Sequence, residues 1–272
     1  MSWLDAIILG LVEGITEFLP VSSTGHLILT RAFLGLSAEQ TDVALIVIQG
    51  AAILAVCWEY RVKLWQILLS LFNDANARRF AINLLVAFLP LAIIGLIFKK
   101  QIETVLFKPI PVALALVIGG FIILWAEKRK HTERITTVDE IQPADAVKVG
   151  LIQVLALIPG TSRSAATILG GLFMGLSRRA ATEFSFFIAI PTLLGATAYE
   201  LWKARDTLNA EAAAPIALSS AIAFVSALVS IRFLLRFVSR HSFSVFAWYR
   251  IVFGGVILAA WWLGWINWNE VT

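Results

Sequence analysis

Glu13-Gly14-Ile15-Thr16-Glu17-Phe18-Leu19-Pro20-Val21-Ser22-Ser23-Thr24-Gly25-His26 and Pro159-Gly160-Thr161-Ser162-Arg163-Ser164-Ala165-Ala166-Thr167 are two polar tracts set inside runs that are apolar on both flanks. An ionisable side chain at the centre of a bilayer costs about 2.5–3.5 kcal/mol even on insertion scales, and groups placed there mark functional sites by default. Two carboxylates, an imidazole and a guanidinium in such surroundings point to a site that handles an anion and a cation together. Proline and glycine inside each run break a helix. A broken helix at membrane depth is tolerated only where protein or a wet cavity covers the freed backbone. Both tracts therefore read as re-entrant helical hairpins.

The surrounding chain supports a membrane setting. Of 272 residues, 59% are hydrophobic and 15% charged, against about one quarter charged in soluble domains. Apolar segments fall at about 6–30, 42–58, 80–98, 109–126, 147–176, 183–201, 213–235 and 245–266. The runs are too long and continuous for barrel strands, and six have the ordinary length of a spanning helix. Asp5 occupies the place of a basic leader region and no small-residue cleavage site precedes Glu13, so the start does not read as a cleaved signal. The single Cys57 excludes an internal disulfide. The basic residues lie in loops, which reads as membrane orientation and not as nucleic-acid binding.

The chain also repeats itself. Gly10–Pro20 resembles Gly150–Pro159, Trp58-Glu59 resembles Tyr199-Glu200, and Ile118-Gly119-Gly120 resembles Phe253-Gly254-Gly255, at offsets near 135–141 residues. The expected architecture is one membrane domain, 1–272, of halves 1–126 and 148–272 joined by a charged linker, 127–147. One hairpin plus three spans per half places the second half on the opposite face, giving an all-α polytopic protein with an inverted-topology repeat, about six transmembrane helices and two re-entrant hairpins. In that architecture two broken helices meet near the midplane and build one site. Thirteen basic residues, Arg61 to Arg240, fall on one face and six, Arg31, Lys99, Lys100, Lys108, Lys203 and Arg205, on the other. The first face is expected to be cytoplasmic and both termini outside. Trp261, Trp262, Trp265 and Trp268 read as an interfacial aromatic belt.

Glu13 and Glu17 are four residues apart and share a helix face. Two close carboxylates in a low-dielectric site take up a proton or share a cation. Hard oxygen ligands suit Mg²⁺ or Ca²⁺, with a phosphate supplying further ligands. His26 follows Ser22, Ser23 and Thr24, and a neutral imidazole can act as a base or attack phosphorus itself. In the second tract Arg163 offers a forked, permanently charged donor that matches phosphate oxygens. Gly160 frees the backbone, and Ser162, Ser164 and Thr167 add hydroxyls at a helix start suited to an anion. The spacing of a nucleotide P-loop is missing. Three nucleophiles stay open: Ser23 activated by His26, His26 itself, or a water activated by His26 or Glu17. His131 and His241 read as solvated. Gln49, Glu183, Ser185 and Arg250 are secondary candidates, the last pairing with an acidic group across the repeat or reaching the headgroups.

At these residues the chain resembles the bacterial undecaprenyl-diphosphate phosphatase (bacitracin-resistance protein) family. Both tracts match its signature motifs without departure, and the resemblance extends to Ser185 and to Tyr249-Arg250. It implies hydrolysis of undecaprenyl diphosphate to the monophosphate carrier lipid used in peptidoglycan synthesis, with a divalent cation as cofactor and a prenyl diphosphate lipid as substrate. It also implies a multi-pass protein of the cytoplasmic (inner) membrane whose site opens to the outer, periplasmic side. Glu17, His26 and Arg163 would be essential, with Glu13, Ser22, Ser23, Ser162 and Thr167 lining the site. The competing reading is a transporter or flippase of a phosphorylated lipid or anion, which needs Arg163 and the carboxylates but not Ser23 with His26. The small-residue faces at Gly170-Gly171 and Gly254-Gly255 suit packing within one chain or between two copies, which leaves a homo-oligomer open.

Overall fold

The computed structural model describes residues 1–205 and 213–264, and within them the secondary structure is helical apart from turns and one isolated bridge between Ile135 and Leu176. The first half contains α1 (Trp3–Thr16), α2 (Ser23–Leu34), α3 (Ala38–Glu59), α4 (Arg61–Ser70), α5 (Ala75–Leu106) and α6 (Pro109–Lys128). The second contains α7 (Pro143–Gln153), α8 (Arg163–Phe173), α9 (Arg178–Ala204), α10 (Ala213–Val238) and α11 (Ser244–Trp262). Among the described residues six helices are long and apolar enough to cross a membrane: α3, α5, α6, α9, α10 and α11. The protein is thus an all-α polytopic membrane protein.

The two polar tracts are where the short helices break. α1 opens on a capping box, Ser2 with Asp5, and ends at Thr16; the chain turns through Pro20 and restarts as α2 with Ser22 as N-cap. In the second half α7 passes into a 3₁₀ turn, Val154–Leu157, and restarts as α8 with Ser162 as N-cap. Both caps adopt the same rare backbone: φ is 72° at Ser22 and 72° at Ser162, the positive-φ non-glycine residues among those described.

Packing partners exchange when the halves are exchanged. α1 lies along α10 and α7 along α5; α3 meets α9, and α6 meets α11. Glycine permits the two short-helix contacts at equivalent positions. A Cβ at Gly10 would stand 2.4 Å from the Ser219 carbonyl of α10, and one at Gly150 would stand 2.5 Å from the Ala87 carbonyl of α5. The apolar core between them is rich in phenylalanine, with Phe18, Phe184, Phe186 and Phe187 all buried.

Helix α4 is an element the hydropathy reading did not contain. Its apolar side chains Val62, Trp65, Leu68 and Leu69 are largely exposed, and no residue of it is buried. The linker is well fastened: Lys63 pairs with Asp139 at 2.7 Å, Arg79 donates to the Asp139 carbonyl at 2.8 Å, and Arg178 grips Glu127 at 2.7 Å. Trp261 and Trp262 lie exposed at the end of α11; Trp265 and Trp268 lie outside the described residues.

Candidate active site

The two restarts meet. Ser164 Oγ donates to the Leu19 carbonyl at 2.8 Å, and Arg163 Nη2 donates to Glu17 Oε1 at 3.3 Å, so each tract reaches into the other. The N-termini of α2 and α8, with their unpaired N–H groups and positive dipole ends, are thereby brought to one place, an arrangement suited to an anion.

Glu17 is the hub. Its Oε2 accepts from Ser23 Oγ at 2.6 Å while its Oε1 takes Arg163. The remaining Arg163 bond runs from Nη1 to the Ser185 carbonyl at 3.0 Å, and its Nε has no hydrogen-bond partner. The Arg163–Glu17 pair is buried, with side chains 8% and 5% exposed. A buried pair of this kind is held by geometry and hydrogen bonds and leaves an uncompensated charge if either partner is removed.

Ser23 and His26, expected as a hydroxyl and its base, do not bond to each other. Ser23 is committed to Glu17. His26 Nδ1 lies 2.7 Å from the Ser22 carbonyl, a pure acceptor, so Nδ1 carries the proton. The lone pair is then on Nε2, which lies 2.6 Å from the Tyr249 hydroxyl. The ring is stacked against Phe253 at 4.2 Å and Tyr249 at 5.6 Å, which fixes its plane. Tyr249 was missed as an individual participant. Its only sequence signal is membership of the Tyr249-Arg250 pair, because α11 comes to α2 from the far end of the chain.

Arg250 neither pairs with an acid nor reaches the surface. Its guanidinium is fully buried and donates to five backbone carbonyls: Pro20 at 3.2 Å, Thr161 at 2.8 Å, Gly160 at 2.9 Å, Ala115 at 3.2 Å and Leu116 at 3.3 Å. It ties both tracts to α6. Gly119 makes the room, since a Cβ there would stand 2.1 Å from Arg250 Nη2.

The other candidates divide by what they bond. Ser22 and Ser162 cap their helices, Ser22 accepting from the Gly25 N–H at 3.5 Å and Ser162 from the Ala165 N–H at 3.2 Å. Ser162 and Ser164 hydroxyls are 3.0 Å apart. Gly160, at φ 94°, gives its carbonyl to Arg250. Thr167 Oγ1 lies 2.7 Å from Ser185 Oγ, behind Arg163. Ser22 thus shapes the first turn, and the other four the turn that holds Arg163. Glu183 pairs with Arg179 at 3.0 Å, and Gln49 lines a cavity that also includes Ser23.

Glu13 is the unsatisfied member. It is fully buried and neither carboxylate oxygen has a hydrogen-bond partner. A bare carboxylate is not stable in such a place without a proton or a cation. Two orphaned hard oxygens one helical turn from Glu17 fit a divalent cation. Among the described residues no three His, Cys, Asp or Glu side chains form a full cage, so phosphate oxygens and water would complete the coordination.

With this geometry in place, comparison with known proteins is informative. The family described as bacitracin resistance protein BacA matches residues 6–256. An undecaprenyl-diphosphatase of Nitrosospira multiformis is 56% identical over 99% of this chain and 100% of its own length. Undecaprenyl-diphosphatase 2 of Rhodospirillum rubrum is 56% identical over 98% of this chain and 97% of its own, and an undecaprenyl-diphosphatase of Pseudomonas syringae is 52% identical over 97% and 96%.

Proposed function

The chain belongs to the bacitracin resistance protein BacA family, and on that premise we propose that it hydrolyses undecaprenyl diphosphate to undecaprenyl phosphate and inorganic phosphate. This recycles the carrier lipid for peptidoglycan synthesis and confers resistance to bacitracin. The setting is the inner membrane, with the halves related as an inverted repeat and the tracts as re-entrant hairpins; the exchange of packing partners and the matched backbone at Ser22 and Ser162 support this. The site opens toward the periplasm, on the face with fewer basic residues.

The observation that carries the reading is the buried Ser23–Glu17–Arg163 chain, with bonds of 2.6 Å and 3.3 Å. A hydroxyl bonded to a carboxylate is an activated nucleophile, and a transporter has no use for one. Ser23 Oγ attacks the terminal phosphorus and passes its proton to Glu17. The bond between that phosphorus and the bridging oxygen breaks, and its electron pair leaves with the prenyl monophosphate. Water then attacks the phosphoserine, giving its proton to His26 Nε2; the bond between phosphorus and Ser23 Oγ breaks, Ser23 takes its proton back from Glu17, and inorganic phosphate departs while His26 returns its proton to solvent. Arg163 and the helix N-termini hold the phosphoryl oxygens, and phosphoryl transfer depends chiefly on such positioning and charge. Glu13, with Glu17 beside it, would hold a divalent cation, Mg²⁺ or Ca²⁺, which would supply further neutralisation of phosphate charge.

The test is phosphate release from a long-chain prenyl diphosphate labelled at the terminal phosphate, by purified protein in detergent, with and without chelator. Ser23→Ala and Glu17→Gln are expected to lower kcat about 10²–10⁴-fold, and chelator to abolish turnover. His26→Ala is expected to accumulate label on the protein. Turnover retained by Ser23→Ala would reject the serine nucleophile. No release by folded wild type with either cation would reject the enzyme reading in favour of transport, to be followed by flux assays in liposomes.

A further inference from the structure

A second cationic place lies two helical turns beyond Ser23. A cavity of about 560 Å³ is lined by Ser23, Arg31, Gln49, Lys99, Glu200 and Lys203, among others. Lys99 pairs with Glu200, which leaves Lys203 and Arg31 to decide what the cavity accepts.

Arg31 is the unusual group. It is 8% exposed overall, although it stands in the last turn of α2. One nitrogen, Nη1, donates to Asp42 at 3.1 Å, and Asp42 is itself 61% exposed, so water screens that pair. The other edge, Nε and Nη2, has no hydrogen-bond partner among the described residues. These are the two parallel donors that receive two oxygens of a phosphate or carboxylate side by side. Buried donors are nearly always partnered, and each exception calls for a reason. Arg31 stands in the wall of a cavity that also contains Ser23, and a phosphate entering there would give its buried fork the partner that the protein does not supply.

We propose that Arg31 is a second oxyanion subsite, which takes a phosphate group after or beside the reaction at Ser23. The proposal rests on the phosphatase reading and deepens it. Ser23 and Arg31 are eight residues apart on one helix, about 12 Å along its axis at 1.5 Å per residue. A phosphate on Arg31 is thus not the one under attack. It is either the inorganic phosphate on its way out or the phosphate of a prenyl monophosphate whose tail remains in lipid. The shared chemistry is a phosphate dianion: with Asp42 set against Arg31 and Glu200 against Lys99, Lys203 leaves the cavity a surplus positive charge, and the unfilled edge of Arg31 supplies the paired donors.

The experiment compares wild type, Arg31→Gln and Arg31→Lys in detergent by two readouts. Thermal shift with inorganic phosphate, and separately with prenyl monophosphate, reports binding without turnover. Product inhibition of phosphate release by the same two compounds reports binding during turnover. Arg31→Gln is expected to leave uninhibited kcat/KM within about twofold and to weaken inhibition by one product five- to tenfold; Arg31→Lys, which keeps the charge but not the fork, falls between. Loss confined to inorganic phosphate identifies the exit route, and loss with prenyl monophosphate identifies a lipid-headgroup subsite; either supports the proposal. Unchanged shift and inhibition by both compounds in folded variants overturn it. If wild type shows no turnover, the thermal shifts still judge Arg31 while the phosphatase reading fails separately. Should Arg31→Gln not fold, Arg31→Lys and Lys203→Gln decide by the same readouts.

Discussion

The hydroxyl of Tyr249 meets the one nitrogen of His26 that has a lone pair, so any proton reaching His26 must displace or pass that bond. Removing it costs the ring its orientation and the lone pair its partner, while Phe253 continues to stack the imidazole. A neutral hydrogen bond is worth about 0.5–1.5 kcal/mol, which converts to roughly two- to tenfold. Tyr249→Phe is therefore expected to lower kcat by about that factor with KM little changed, measured as phosphate release at saturating lipid. A fall in kcat/KM through KM alone would place Tyr249 in lipid binding instead. At this scale the sequence was informative about charge and poor about partners. Glu13, Glu17, His26 and Arg163 stood out because ionisable groups inside apolar runs are costly. Which of them bond was not legible: Ser23 and His26 share a helical turn, yet the nearer acceptor for Ser23 is Glu17, delivered by the break at Pro20. Tyr249 and Arg250 come from 223 and more residues away, and no local pattern marks a long-range contact.

The restart helices α2 and α8 depend on two serines in an unusual backbone. Ser162 combines φ 72° with ψ 117°, a region that L-residues with a Cβ rarely occupy and that costs of order 1–3 kcal/mol. Its side chain offsets this by capping Ala165 and by bonding Ser164. Glycine there removes both the strain and the cap, whereas alanine keeps the strain and removes the cap. Since cap loss costs about 1 kcal/mol with alanine but only a few tenths with glycine, Ser162→Gly is expected to unfold at a higher temperature than Ser162→Ala, with a gap of about 1–2 kcal/mol. Thermal denaturation in detergent checks this, and the reverse order would show that the backbone at Ser162 is not strained. The broken helices themselves were legible from proline, glycine and hydroxyl residues in an apolar run. Helix α4 was not, because Arg61, Lys63 and Gln66 interrupt its apolar stripe and hold its mean hydropathy below that of a span. Arg250 was misread because an arginine in an apolar helix suggests an acidic partner or a headgroup. Three carbonyls freed by the two broken helices, with two more on α6, form an equally good acceptor set, and only the fold brings them together.

Viewed whole, the molecule has a chemical face and a fastened face. Ser23 and the Arg31 cavity lie toward the side of Lys99 and Lys203, while the linker ion pairs Lys63–Asp139, Arg134–Asp145 and Arg178–Glu127 lock the other. In the proposed orientation the charge asymmetry sets the polarity, since basic loops are retained inside, and that polarity would decide which pool of lipid the enzyme can draw on. A lipid diphosphate produced outside must be hydrolysed from outside unless it first crosses the bilayer. In a Cys57→Ser background, Lys108→Cys lies beside the chemical face and Asn76→Cys on the fastened one, and both positions are exposed. A membrane-impermeant thiol reagent applied to intact cells with a permeable outer membrane is expected to modify Lys108→Cys and spare Asn76→Cys until the inner membrane is opened. The opposite labelling would turn the site to the cytoplasm, and the substrate would then have to be a lipid on the inner leaflet. Labelling of both positions across the population would mean dual insertion. The site would then serve both leaflets, and the thirteen-to-six charge asymmetry would have lost its authority over orientation in this chain.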